Sequence, residues 1–298
     1  MYSLPKNVTL IEVGPRDGLQ NEKNSIPTDQ KLAFIHSLQQ AGIQEMEVTS
    51  FVSAKWVPQM SDSKEIMDRV CKTGRQLVLT PNAHGVENAL KAGADSVAVF
   101  VGVSDTFNRH NINRSTAGSV ETLRPIVNQL KIDHHFVRAC ISTAFHCPYE
   151  GVIPPEQTLA LCEKFVDMGV DELSVADTDG MANPLGSFTL FKTLKTKFPN
   201  ILITAHFHDT RKLGLANIFA SLQAGVDRFD TSAGGLGGCP FAPGATGNVA
   251  TEDVLYLLQS VGIETGVDMD KICASVDEVA PYLSRPIDTA MYNLYKRQ

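Results

Sequence analysis

The chain has 298 residues, 43% hydrophobic and 20% charged, with a formal net charge of −7. Those are ordinary values for a globular protein with a sizeable core, and the length fits either one β/α barrel of about 250 residues with additions or two smaller domains. No basic stripe invites nucleic acid, no apolar run reaches the ~20 residues of a membrane span, and the modest negative charge identifies no ligand.

The start of the chain, from Met1 to Lys6, shows no charged stretch followed by an apolar one. No signal peptide is read there, and the cytoplasm is the expected setting. Strands are predicted near 8–13, 44–49, 76–80, 95–101, 135–142, 171–176, 201–207 and 226–231. Helical patterns lie between them. From Thr28 to Gln40, Thr28 is the expected cap, Leu32, Ile35 and Leu38 share a face, and Gly42 ends the helix. Pro155 suits the first turn of a helix carrying Leu159, Cys162, Phe165 and Val166. A small-Gly-apolar step recurs at Gly42, Gly93, Gly169 and Gly225, where glycine fits the left-handed residue that closes a helix. Strands alternating with helices argue for a parallel sheet. Eight such units suggest a closed barrel, although periodicity alone also allows an open doubly wound sheet. From about 251 the chain reads as helices appended to the barrel.

Polar residues gather where the predicted strands end: Arg16 and Asp17, Glu47, Asp177 and Asp179, then His206, His208 and Asp209. In a barrel those ends meet at one mouth. His206 and His208 are two apart on a strand and therefore face the same way. Two imidazoles with oxygen donors suit a divalent first-row ion; Asp17 offers a carboxylate and Asn248 a carbonyl oxygen. The lack of thiolate ligands favours Mg²⁺ or Mn²⁺, while imidazole leaves zinc open. Two histidines satisfied by ordinary hydrogen bonds would read the same way. His36, His84, His110 and His146 have no partner visible in the sequence.

The glycine-rich stretch 234–247 lacks the third glycine of a dinucleotide fingerprint. It reads as a surface loop, or as a lid carrying Cys239. A thiol with a pKa of about 8.5 can donate a proton to an enolate. The other cysteines, Cys71, Cys140, Cys147, Cys162 and Cys273, form no C-x-x-C pair and are expected to be small buried hydrophobes in a reducing compartment. Arg16 is either a surface ion-pair partner or a fixed cation for an oxyanion, with Glu47 as its holder. Asp177 and Asp209 read as loop-capping residues or as a base and an orienting group.

Three groups of residues carry a resemblance. The run from Val13 to Lys23, the pair of runs Glu47–Ser53 and Lys55–Met60, and the segments at Asn111–Asn113, Cys147–Gly151 and Gly235–Pro240 together resemble the hydroxymethylglutaryl-CoA lyases, from about residue 5 to 270. The resemblance implies an α/β fold, a (β/α)₈ TIM barrel with appended C-terminal helices. It implies a single lyase domain over 1–298, with the barrel at about 5–250 and the helices at about 251–298. It also implies retro-Claisen cleavage of 3-hydroxy-3-methylglutaryl-CoA to acetyl-CoA and acetoacetate, with Mg²⁺ or Mn²⁺ as cofactor. By motif match, Asp17, His206, His208 and Asn248 fall on metal-ligand positions. Arg16 falls on the catalytic arginine, Glu47 on the group orienting it, Cys239 on the catalytic cysteine, and Asp177 on an aspartate linked to proton transfer. Lys23 and Asn111 are expected on the CoA side. The expected partners are an acyl-CoA substrate and further copies of the chain, as a homodimer or higher homo-oligomer, with no nucleic acid and no membrane.

The sequence departs from the family at Ala176, Asp179, Arg211, Lys212 and His146. Asp179 and His146 bring polar groups to the mouth and open a related substrate such as citramalyl-CoA. A synthase of the isopropylmalate type shares the metal face but carries a further C-terminal region. A catalytically silent barrel that binds CoA or a partner is the alternative of another class, and the shared Arg16, Asp17, His206, His208, Asn248 and Cys239 speak against it.

Overall fold

The computed structural model describes residues 4–20, 22–238 and 247–297. Eight strands fill the eight predicted windows: β1 (Thr9–Glu12), β2 (Glu45–Ser50), β3 (Arg75–Leu79), β4 (Ser96–Gly102), β5 (Phe136–Ser142), β6 (Glu172–Asp177), β7 (Leu202–Phe207) and β8 (Arg228–Thr231). All pair in parallel with their chain neighbours, and β1 pairs with β8 as well as β2. That last ladder closes the barrel and removes the open-sheet alternative.

Between the strands run α1 (Thr28–Gln40), α2 (Ser63–Arg69), α3 (Ala83–Lys91), α4 (Asp105–Ile112), α5 (Thr116–Ile132), α6 (Pro155–Asp167), α7 (Pro184–Lys197) and α8 (Gly214–Gln223). After β8 come α9 (Thr251–Ser260), α10 (Met269–Val279) and α11 (Ala290–Tyr295), with α10 packed on α1. The four glycines of the recurring step all have positive φ, between 80° and 104°, as a left-handed helix stop requires. Pro155 does open α6. Thr28 does not cap α1. Pro27 holds the cap position with φ −59°, and the Thr28 hydroxyl donates to Asp62 at 3.0 Å. No helix among the described residues is long and apolar enough to cross a membrane.

Apolar side chains fill the shell between strands and helices: Leu38, Phe165, Phe191 and Val254 are fully buried there. The barrel interior is built differently. It holds a small apolar cluster of Ile11, Val13 and Leu77 with Phe136. Around the first residues of the strands, Arg228 meets Glu45 at 2.6 Å and Glu172 at 3.2 Å, and Arg75 meets Glu45 at 2.8 Å. The Arg75 guanidinium lies 3.7 Å from the Phe136 ring centroid, a cation–π contact. One layer up, Arg138 pairs with Asp230. A buried charge left alone is costly, so these pairs tie strands across the barrel to one arrangement.

Candidate active site

At the end of β1 the chain makes one π-type turn, Gly14–Gly18, in which the amides of Arg16, Asp17 and Gly18 all point to the Val13 carbonyl. The turn sets Arg16 and Asp17 side by side at the C-terminal mouth. Two glycines make it possible by close approach. A Cβ at Gly14 would fall 2.6 Å from Glu12 Oε1, and one at Gly18 would fall 2.8 Å from Leu236 Cβ. Buried Glu12 accepts from the amides of Gly14 (2.7 Å) and Ala233 (3.0 Å), so it ties this turn to the chain leaving β8.

Arg16 donates through Nη1 to Asp17 (2.8 Å) and through Nε to Glu47 (2.6 Å). Glu47 sits where β2 shifts register against β3, an irregularity that re-aims side chains. Burial opposes the Arg16 charge, but Glu47 and Asp17 outweigh it and hold the guanidinium above its ordinary value.

His206 lies near the end of β7 and His208 just beyond it, with ring centroids 5.3 Å apart. Asp17, His206 and His208 each offer a ligand atom within 4.8 Å of the others. His208 bridges antiparallel to Asn248, supported by Asp209 N to Gly247 O (2.8 Å) and Val249 N to Phe207 O (3.1 Å). That pairing brings the Asn248 amide nitrogen 2.8 Å from Asp17 Oδ2.

The donor set fits a divalent cation on the geometry itself. His208 Nδ1 is buried with no hydrogen-bond partner among the described residues, and His206 uses its own Nδ1 on Asp230 at 3.1 Å. Burial, with His206 beside it, pushes His208 down to about 4, so the imidazole is neutral, the form that ligates. Burial opposes the Asp17 charge, but Arg16, His206 and His208 prevail and hold its carboxyl at about 2. Burial also opposes a charge on His206, and Asp230 outweighs that and raises it.

These groups open into a cavity of about 1000 Å³. Its lining includes Arg16, Asp17, Glu47, His206 and His208, together with Trp56, Asn111, Arg114 and Tyr149. The His110 and Tyr149 rings stack at 4.5 Å. Cys140 also lines the cavity, but burial pushes its thiol up to about 12, so it is no thiolate at neutral pH. Lys23 is exposed and is not among the lining residues. Cys239 lies outside the described residues; Gly238, just before it, lines the cavity.

Asp177 closes β6 and is buried, with Oδ1 accepting from the amides of Met181 (2.9 Å) and Ala182 (3.0 Å). Its Oδ2 is buried without a hydrogen-bond partner among the described residues. Burial raises the carboxyl to about 7, against the pull of those two amides. The lining residues pass from Ala176 to Thr178 without it. Asp209 accepts from Gly214 N at 2.9 Å and so steadies the start of α8.

His146 and Asp179 pair with each other at 2.6 Å, and neither is among the residues lining the cavity. The two departures expected to reshape the acyl end therefore pair with one another outside the cavity lining. What the sequence did not point to is the support inside the barrel: Asp230, Ser174 and Arg138. The available signal was parity, because these charged and polar residues occupy inward-facing positions of buried strands.

The family model described as HMGL-like matches residues 7–279. The chain is 42% identical over 295 residues to hydroxymethylglutaryl-CoA lyase YngG of Bacillus subtilis (strain 168), covering 98% of each protein. It is 42% identical to the mitochondrial hydroxymethylglutaryl-CoA lyase of Homo sapiens, over 96% of this chain and 88% of that protein. Among solved structures, it is similar to the hydroxymethylglutaryl-CoA lyase of Pseudomonas aeruginosa, with a TM-score of 0.95, 41% identity and 99% of both chains covered. A structure of an Acinetobacter baumannii HMG-CoA lyase with coenzyme A and 3-methylmalate matches with a TM-score of 0.91 at 34% identity, over 98% of this chain and 96% of that one.

Proposed function

The chain belongs to the HMGL-like family, and from that membership we propose that it cleaves 3-hydroxy-3-methylglutaryl-CoA to acetyl-CoA and acetoacetate. It is a carbon–carbon lyase, as its relatives are. One observation carries the reading: Arg16, Asp17, His206 and His208 converge on a cavity of about 1000 Å³, with Asn248 hydrogen-bonded to Asp17. The same cavity is lined by aromatic and polar side chains suited to a long thioester arm.

Asp17, His206, His208 and Asn248 would hold the metal, with Mg²⁺ or Mn²⁺ preferred for a set without thiolates. When bound, such a cation lowers the pKa of the substrate's tertiary hydroxyl. The hydroxyl gives up its proton and becomes the ketone of acetoacetate. The carbon–carbon bond breaks, and its electron pair passes into the thioester enolate. Arg16, held by Glu47, directs its guanidinium at the enolate oxygen, where fixed positive charge counts most. Asp177 does not line the cavity, so it takes the hydroxyl proton only through an intervening group; its Oδ2 has no hydrogen-bond partner among the described residues. The Cys239 thiol returns a proton to the enolate carbon, giving acetyl-CoA. Asn111 contacts the CoA arm, whereas exposed Lys23 reaches it only from outside the cavity lining.

The test is a panel of 3-hydroxyacyl-CoA thioesters given to purified protein with Mg²⁺, with products read by mass spectrometry. Acetyl-CoA and acetoacetate are expected from hydroxymethylglutaryl-CoA. Cleavage of citramalyl-CoA alone would move the acyl group and keep the bond-breaking chemistry. Asp177 acts as an acceptor only when charged, so turnover should fall as pH drops below about 7 and level off above it. A flat profile through that range removes Asp177 from the role. For Cys239→Ala, metal binding should persist while most turnover is lost, and near-full turnover would remove the proton-donor assignment.

A further inference from the structure

His206 and Asp230 are direct partners in the parallel ladder between β7 and β8. Both side chains therefore leave the sheet on the same inner side, at the same height. The His206 Nδ1 lies 3.1 Å from Asp230 Oδ2. Asp230 is itself fixed from two further strands: Ser174 on β6 donates to Oδ2 at 2.8 Å, and Arg138 on β5 pairs with both carboxylate oxygens. Asp230 and Arg138 are almost entirely shut off from solvent, at 4% and 1% exposure. The carboxylate thus has one rigid position, lining the cavity beside His206.

We propose that Asp230 is a positioning residue for the metal centre, holding the Nδ1–H of His206 so that Nε2 is presented to the cation. This rests on the metal reading above and extends it to a residue outside that ligand set. A carboxylate behind a ligating histidine fixes its tautomer and ring orientation and raises its basicity. Ser174 and Arg138 hold that carboxylate in turn. The competing account is that Asp230 merely balances the buried Arg138 charge. The two accounts differ in one respect: only positioning couples Asp230 to His206 in metal affinity.

The experiment measures Mn²⁺ binding by the loss of the free-ion EPR signal, with folding followed by circular dichroism. Asp230→Asn is expected to weaken Mn²⁺ binding about 10–100-fold. Because that change strands the Arg138 charge, Arg138→Met/Asp230→Asn is measured beside it; the double variant removes both charges together. The same weakening is expected there. Ser174→Ala keeps both charges and should weaken binding by a smaller factor. In a His206→Asn background, which keeps an oxygen donor at that position, Asp230→Asn should add no further loss, since coupled residues are not additive. Wild-type affinity in a folded Asp230→Asn or double variant overturns the proposal, as does full additivity with His206→Asn. Failure of the unaltered protein to take up Mn²⁺ would instead overturn the metal reading beneath it.

Discussion

Arg16→Gln should lower kcat about 10²–10³-fold on hydroxymethylglutaryl-CoA while leaving Mn²⁺ binding in place, the size seen when one preorganised oxyanion donor is removed. The expectation comes from how the side chain is held. Its Nε and Nη1 are spent on Glu47 and Asp17, so the guanidinium has little freedom and little to reorganise when charge develops on the substrate. Glutamine keeps part of the length but not the charge. It also leaves Glu47, at 1% exposure, without its cation. Breaking a buried pair from one side costs about 3–5 kcal/mol, so the melting temperature should fall too. Arg16→Gln/Glu47→Gln removes both charges and separates the effects: stability should partly return, and kcat should not. Turnover within about twofold of the unaltered protein would take Arg16 out of the reaction.

His208→Ala is expected to abolish stoichiometric metal binding and to lower turnover about 10³-fold or more, since a bound cation supplies several kcal/mol of transition-state stabilisation. Little folding energy should go with it. The imidazole is neutral and its Nδ1 makes no hydrogen bond among the described residues, so the truncation strands no charge and breaks no such bond at that atom. A chelator should bring the unaltered protein to the same low activity. Adding Mg²⁺ or Mn²⁺ should restore the unaltered protein and leave the variant low. Metal content by elemental analysis and melting by circular dichroism check the two halves. A variant that holds one ion per chain and turns over normally would remove His208 from the site.

Four of the strands, β2, β4, β6 and β8, were readable because each follows a helix that ends at a left-handed glycine, Gly42, Gly93, Gly169 and Gly225 in turn. Closure was not readable, because the ladder from Thr9–Glu12 to Arg228–Thr231 joins residues far apart in the chain. The start of α1 misled because proline fixes the entry as well as a hydroxyl cap can, and Pro27 took the position from Thr28. In the site, His206 and His208 follow from strand alternation alone. Asp17 and Asn248 could be named as oxygen donors, but the family motifs made them firm, since a turn and a loop carry no periodic signal. The four histidines without a visible partner each find one: His36 with Gln40, His84 with Asn88, His110 with Tyr149 and His146 with Asp179. The first two lie four apart on a helix, a spacing open to inspection; the others depend on the fold. Lys23 shows the limit of carrying a motif over by position. It lies in a motif that reaches the mouth at Arg16 and Asp17, yet its own side chain is exposed outside the cavity lining.

Arg138, Glu172, Arg228 and Asp230 give the most general lesson. Charged residues at inward positions of buried strands contradict an apolar barrel core, and strand alternation alone is enough to expose that contradiction. They are the residues that stand behind His206 and fix the strands around it.

Product formation by chelator-treated protein tests the central claim most directly. Given hydroxymethylglutaryl-CoA without metal, it should release nothing; on addition of Mg²⁺ it should release acetyl-CoA and acetoacetate in equal amounts. Release of both products at full rate in the presence of chelator, or no release after Mg²⁺ is restored, would contradict a metal-dependent lyase built on Asp17, His206, His208 and Asn248.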